Sequence, residues 1–381
     1  MSQPNVNPTS FTSYDEQTQS SLFAVLPPEI RYEIFSQALT STPDFTETFD
    51  QEGYSTRPGY ETRHRTWTEL LRTCKKVYRE AWFMPFMGSE HAFYLAWTTR
   101  SPRRQMTVQK MQQYLDLIYQ RHGDIHGGRI RIFAQQCELH APFKGIFKMQ
   151  HFHPTSVTVT LRYTDTWNWE SDRALDIGAS WCKDMILPAS VTSFTLDVES
   201  LERRSYEVDW VSQQAMEKWH FARDDGVLLF SCPEDIAISH WTGSSVLGQE
   251  RWIRDEEQER PGKLSYYVGS ITWRPSKESL NDRPVQNPGL RYQGDRVRPA
   301  QRAYNHIDWR NLEVANISLD IPPDEVCELY LRWMEVGEPI DDEEEDLRED
   351  SDRGVDNDGH SDDYSEDGEG SEYEPSGDDM D

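Results

Sequence analysis

Six residues of metal-binding or acid–base type fall within 32 positions: His122, His126, Cys137, His140, His151 and His153. His122 and His126 stand four apart, a helical ligand spacing, and Cys137-x-x-His140 and His151-x-His153 are chelating pairs by type. Zinc takes four such nitrogen and sulfur ligands. Gly123, Gly127 and Gly128 argue against a helix there, and the spacing fits no zinc pattern. Packed or solvated histidines are the expectation, and no metal ligand or cofactor is assigned. An enzyme or metal-binding protein built on 122–153 is the remote alternative. Gly127-Gly128 lacks a phosphate-loop frame. Gly243-Ser244-Ser245 is no nucleophile elbow, and HExxH does not occur. The acidic runs Asp224-Asp225 and Asp255-Glu256-Glu257 read as solvated surface. No catalytic residue is assigned, and the chain does not read as an enzyme.

The elements that would carry such groups are legible as patterns. Leu26, Ile30, Ile34 and Ala38 recur every four residues behind Pro27-Pro28, which marks a helix face and its start. From Pro43 to Thr66 the chain is polar and reads as a loop or insertion. Leu70, Leu71, Cys74, Val77, Tyr78, Ala81 and Trp82 predict a second helix over 68–83. A strand follows over 91–97, then a helix over 107–121. Val157, Val159, Leu161 and Tyr163 alternate cleanly, as do Phe194, Leu196 and Val198, so both segments are strands. Helices are expected over 171–186, 206–219 and 324–336, and strands over 264–273 and 314–321. Asp225-Gly226 marks a tight turn between two short strands. Residues 277–302 read as a loop rich in Pro, Arg and Asn. Helices first and a mixture after them make the class α+β.

Charge divides the chain. From Glu338 to Asp381 there are 22 acidic residues against Arg348 and Arg353, so the tail carries −20 of the total −28. All 13 Trp lie before it. The tail cannot bury enough apolar surface to fold and is expected to be disordered; contact with basic partners and a solubilising role are both open to it. The five cysteines are widely spaced, without a disulfide framework or a CxxC pair. The polar segment Met1–Ser20 lacks the apolar stretch of a signal peptide. These features point to the cytoplasm or nucleus. The basic spots Arg63-His64-Arg65, Pro102-Arg103-Arg104 and Arg291, Arg296, Arg298 and Arg302 sit on a net acidic body, so nucleic acid is not the expected partner.

The block Leu26-Pro27-Pro28-Glu29-Ile30-Arg31 with Ile34-Phe35, followed by Leu70-Leu71-Arg72-Thr73-Cys74-Lys75-Lys76-Val77-Tyr78-Arg79-Glu80-Ala81, resembles the F-box-like proteins of filamentous fungi. Leu187-Pro188-Ala189-Ser190-Val191 through Leu201-Glu202-Arg203-Arg204 to Trp219 is similar to their C-terminal part. The resemblance implies an F-box-like helical unit over 21–97, with an insertion at 43–66, after a leader over 1–20. An α+β body would span 98–337, before the acidic tail 338–381. It implies that Leu26, Pro27, Ile30 and Ile34 dock a Skp-type adaptor of a cullin ubiquitin ligase while the body presents a substrate. A Pro-started amphipathic helix can offer such a ridge. The other reading packs the same ridge on the 70–82 helix as core, in a protein of some other interaction role.

Overall fold

The computed structural model describes residues 13–50, 54, 56–102, 105–139, 141–183, 185–276 and 287–336. The acidic tail and residues 1–12 of the leader, both expected to lack structure, lie outside these. The chain divides into two units, Met1–Trp333 and Met334–Asp381; of the second, only Met334 to Val336 is described.

The first unit opens with a helical turn, α1 (Ser21–Ala24), and the helix α2 (Pro28–Ala38). Pro28 occupies the first turn, where its missing N–H costs nothing. The buried stripe of α2 is Arg31, Phe35 and Leu39, not the Leu26–Ile30–Ile34–Ala38 row that the four-residue period singled out. Apolar residues cover an arc wider than the neighbouring elements can bury. Phe35 and Leu39 pack with Val77, Ala81 and Met84. The stretch 43–66, expected as a loop or insertion, carries strand pairing: β1 (Ser41–Thr48) and β2 (Thr62–Thr66) run antiparallel from Ser41↔Thr66 to Thr48↔Thr62. The single helix expected over 68–83 is broken into a 3-10 turn at Glu69–Arg72, α3 (Lys75–Ala81) and α4 (Met84–Gly88). Cys74 is extended and its Sγ accepts the Val77 N–H, which starts α3 afresh. Pro85 lies in the first turn of α4. The leader is anchored from residue 13: Lys76 Nζ lies 2.9 Å from Glu16 Oε2, and Arg79 stacks over Tyr14 at 4.4 Å.

The body follows as β3 (Glu90–Leu95), α5 (Val108–His122), β4 (Arg129–Ala134), α6 (Ala141–Ile146) and β5 (Ser156–Leu161). After them come the short β6 (Asp176–Ile177) and β7 (Ile186–Leu187), then β8 (Ser193–Leu201), α7 (Ser205–Lys218), β9 (Phe221–Arg223), β10 (Leu228–Phe230) and β11 (Ile236–Ser244). The chain closes with β12 (Val246–Leu247), β13 (Glu250–Arg251), β14 (Lys263–Pro275), β15 (Leu290–Arg291), β16 (Ile307–Asp308), α8 (Trp309–Val314) and α9 (Pro323–Val336). Strands β3, β4, β5 and β8 run parallel in that order. Strand β14 joins β8 antiparallel, and β11 takes the other edge of β14 from Ile236↔Ile271 to Ser244↔Lys263. The sheet continues from the end of β14 through β10 and β9 to β7. The fold is therefore mixed α+β around one curled sheet.

Strand alternation splits this sheet into two faces. Ile130, Ile132, Val157, Val159, Phe194, Leu196 and Ile271 join Met111 and Leu115 of α5, Phe143 of α6 and Val208 and Val211 of α7 in one core. The opposite face carries Arg131, Thr160, Asp197 and Ser270; Asp197 accepts hydrogen bonds from the other three at 2.7–3.0 Å. The segment between β1 and β2 covers that face. Tyr60 meets Phe133 edge-on at 5.0 Å, and Arg131 lies over the Tyr60 ring at 5.1 Å.

Two further expectations fail. Residues 171–186 form no helix; turns and the short β6 and β7 replace it, with Leu175, Ile177, Trp181, Cys182 and Met185 all buried. These buried positions alternate irregularly with the exposed Arg173, Gly178, Ser180, Lys183 and Ile186, so no helical face is selected. The strand expected over 314–321 is the end of α8 and a turn, where Asn316 adopts φ +55°, a left-handed residue that stops a helix. The expected 225–226 turn is present: Gly226 has φ +81° and joins β9 to β10. Of the loop 277–302, residues 277–286 lie outside the described set, and Leu290–Arg291 pairs with β6.

Helix α7 rests directly on β14. A Cβ on Gly269 would stand 2.6 Å from Ser212 Oγ and 2.8 Å from Val208 Cγ1. Gly269→Val should lower the unfolding free energy by about 1–3 kcal/mol through overpacking. An unchanged urea midpoint would contradict this packing of α7.

Candidate functional site

In open sheets with parallel strands, crevices outside the carboxyl ends are the usual ligand sites. Here Leu95, Ala134 and Leu161 end β3, β4 and β5, and the loops that follow carry Trp97–Arg100, Gln135–Glu138 and Arg162–Glu170. Two adjacent glutamines fasten these loops together. Gln135 Oε1 accepts the Trp97 N–H at 2.8 Å, and Gln136 Oε1 accepts the Trp167 N–H at 2.9 Å. Both glutamines are buried. Between the loops lies a cavity of about 260 Å³ walled by Trp97, Arg100, Trp167 and Trp169. A second cavity, of about 230 Å³, adjoins it at Thr164 and is lined by Tyr54, Arg57, Glu199, Trp241 and Tyr266.

Buried charge holds this end of the sheet. Arg162 is fully buried; it pairs with both oxygens of Asp165 and donates to the Tyr54 carbonyl at 2.5 Å. Glu199, on β8, is 2% exposed. It accepts the Tyr163 N–H and Trp241 Nε1–H at 3.0 Å each and lies 3.1 Å from Arg57 Nη2. Trp241 stacks on Tyr266 at 4.3 Å, and Arg57 lies 5.1 Å from the Trp241 ring. Burial pulls the Arg57 guanidinium below its ordinary value while Glu199 opposes that shift. Burial pushes the Tyr266 hydroxyl up, and the Glu199 charge adds to it. Burial likewise raises the Cys137 thiol, helped by Glu138.

A second ionic cluster follows β8. Arg203 bridges Asp172 and Asp255 at 2.6 Å each, and Arg254 pairs with Asp255 at 2.8 Å. Arg251 grips Glu256 through two 2.8 Å bonds. Asp255 and Glu256, read as solvated surface, are thus buried structural ions. The Asp224-Asp225 turn is exposed. Arg291, Arg296 and Arg302 each meet a body carboxylate, namely Asp176, Glu207 and Asp324.

The histidine-rich stretch is dispersed. His122 accepts the Trp82 indole N–H at 2.8 Å on the helical side. His151 and His153 share one oxygen of Asp124, at 3.0 and 3.2 Å, and the His126 ring lies 4.7 Å from that of His153. These two hydrogen bonds hold the Asp124 carboxyl below its ordinary value. Cys137 sits at the carboxyl-end cavity instead, and His140 lies outside the described residues. Among the described residues, no group of three His, Cys, Asp or Glu could hold a metal ion. Asp124 had no sequence signal beyond its proximity to the histidines.

The ridge residues lie apart from the crevice, on α2 and its approach. Leu26 is half-buried and Pro27 exposed, while Ile30 and Ile34 are 48% and 41% exposed. Val25 beside them is 73% exposed. From beneath, Arg31 fixes the ridge: its Nη1 donates to the Leu26 carbonyl at 2.8 Å, and its Nε and Nη2 grip Glu80 of α3 at 2.9 and 3.2 Å. Sequence reasoning missed Arg100, Gln135, Gln136, Trp167 and Glu199. None stands in a local motif, and only the parallel strand order brings them together. Among the described residues, no helix is long and apolar enough to cross a membrane.

Two outcomes test the ionic framework. Glu199→Ala strands the Arg57 charge and should cost about 3–5 kcal/mol of stability in chemical denaturation; a change below about 1 kcal/mol contradicts the pairing. Glu207, fully buried, resists ionisation through burial but is overridden by Arg204 at 2.7 Å, by the Leu175 N–H and by Arg296, so its folded value lies below the ordinary one. It therefore stabilises the fold above the free-glutamate pKa of about 4.3, and that contribution disappears as pH falls through the depressed folded value. The stability gap between wild type and Glu207→Gln should shrink between about pH 6 and pH 3, and a pH-independent gap would rule this out.

No protein-family model, curated protein or solved structure matches the chain.

Proposed function

We propose that the protein is a docking adaptor. The ridge Leu26–Pro27–Ile30–Ile34 receives a Skp-type partner of a cullin ubiquitin ligase, and the α+β body presents a target protein. The observation that carries this reading is the exposure of Ile30 and Ile34 on a helix whose other apolar stripe is already buried. Two β-branched side chains one turn apart, with Pro27 and Val25 at the helix entry, form a helix-in-groove epitope. Arg31 holds that epitope in a fixed orientation by bonding both Leu26 and Glu80, so little ordering cost attends binding. The F-box-like sequence block names the partner class.

A second reading has its own support. Phe35, Leu39, Val77, Ala81 and Met84 make a small core of their own, so the helical unit could serve only to cap the body of an interaction protein with other partners.

Co-purification with the Skp-type adaptor separates the two. Leu26→Asp/Ile30→Asp should reduce recovery about 30-fold or more, the effect of losing a hot spot worth 2 kcal/mol, with circular dichroism unchanged. Equal recovery of wild type and variant, or no recovery by the folded wild type, would reject the adaptor reading in favour of the cap.

A further inference from the structure

The crevice at the carboxyl ends of β3, β4 and β5 carries an unanswered feature of its own. Arg100 is largely buried, its side chain 13% exposed. Its Nη1 donates to the Thr164 carbonyl at 2.5 Å, and its guanidinium lies over the Tyr54 ring at 4.6 Å and the Trp169 ring at 5.8 Å. Glu170 stands 3.7 Å from Nη2, too far for a hydrogen bond, and its side chain is 49% exposed. Among the described residues, the bond to Thr164 is the only hydrogen bond Arg100 makes. Its Nε and Nη2, steadied by that stacking, reach solvent and have no hydrogen-bond acceptor among the described residues, with Glu170 as the ion-pair neighbour of Nη2.

Arg100 lines the 260 Å³ cavity, and so do Trp97 and Trp167, 60% and 59% exposed. Two large apolar rings in water at one cavity are unusual for a surface that binds nothing. The neighbouring Gln135 and Gln136 fix the backbone from which both tryptophan side chains project. We propose that this cavity binds a carboxylate with an apolar body. The carboxylate takes the planar Nε–Nη2 edge of Arg100 in a fork-to-fork pair, displacing the loosely held Glu170 outward, and the apolar body lies between Trp97 and Trp167.

The chemistry excludes the neighbouring alternatives. A cationic ligand seated between the indoles would meet the Arg100 charge. A phosphate requires several converging cations, whereas Arg100 is the one cation among the residues lining this cavity. Asp165, also at the cavity, is consumed on both oxygens by Arg162 and neither attracts nor repels strongly. Two sources present the required group: the free carboxyl terminus of a polypeptide ending in an apolar residue, and a small free carboxylate. The inference rests on the crevice alone and is independent of the α2 ridge.

Tryptophan fluorescence of the full-length protein provides the readout. The probes are an acetylated tetrapeptide ending in leucine with a free carboxylate, the same peptide as its amide, and N-acetyl-leucine. In the wild type, a free-carboxylate probe should bind at least about tenfold more tightly than the amide, the discrimination of a charge-assisted pair. Arg100→Gln should bring that ratio close to one, and Trp167→Ala should weaken all probes while leaving the ratio intact. Tighter binding of the peptide acid than of N-acetyl-leucine identifies a polypeptide terminus as the ligand; equal binding identifies a free carboxylate. Acid and amide binding equally to the wild type, or neither free-carboxylate probe binding it, overturns the proposal without reference to any variant.

Discussion

Glu199 is the residue on which the arrangement of the body depends. It lies on β8, on the sheet face turned away from the helices, and its two oxygens join four separate stretches of chain. Arg57 comes from the segment between β1 and β2, Tyr163 from the loop after β5, and Trp241 from the edge strand β11. A carboxylate buried among such groups is costly unless every partner is in place. The cluster therefore behaves as a single assembly: the loop after β5, the edge strand and the N-terminal segment are right together or not at all. The two crevice cavities are the space left between these pinned segments.

Sequence patterns reported this fold where burial is one-sided. Val157, Val159 and Leu161 alternate because helices cover one face of β5, and α5 is bounded by Thr107 and Gly123 as its caps, with Thr107 Oγ1 accepting the Lys110 N–H. Patterns failed where burial is irregular or slight. Strand β11 is largely exposed on both faces and has no period to detect. Within residues 171–186 the buried Leu175, Ile177, Trp181, Cys182 and Met185 follow no helical period, and bonds such as Leu175 N–H to Glu207 leave no mark on residue spacing. Glu199 follows Val198 on β8, so alternation assigns it to a solvated face; only the folded chain shows that Tyr54, Arg57 and Tyr60 occupy that face.

The same limit governs the candidate sites. The α2 ridge was visible in outline because a helix puts Ile30 and Ile34 one turn apart, with Leu26 in the bend before it, yet which of its apolar residues are buried depended on where α3 and α4 lie. Phe35 and Leu39 took the inner position, and Ile30 and Ile34 were left outside. The crevice was invisible. Trp97, Arg100, Gln135 and Trp167 span three successive loops, and their convergence is a property of strand order. The histidines show the converse: closely spaced in the chain, His122 turns to the helical side while His126, His151 and His153 meet at the Asp124 corner.

The long reach of the N-terminal segment also has a consequence for how the protein is made. Tyr54 donates its hydroxyl to the carbonyl of Leu247, 193 residues later, and its own carbonyl waits for Arg162, 108 residues later. On a ribosome adding about 5–20 residues per second, the partner of Tyr54 emerges roughly 10–40 s after it. During that interval the helical unit can form locally, but the segment joining its two halves has nowhere to settle. The parallel strands β3, β4 and β5 accumulate meanwhile with one polar face open. Completion of the fold is tied to the arrival of β11 and β14, late in translation, so a nascent chain stalled before them would expose the unsealed sheet to chaperones and to proteolysis.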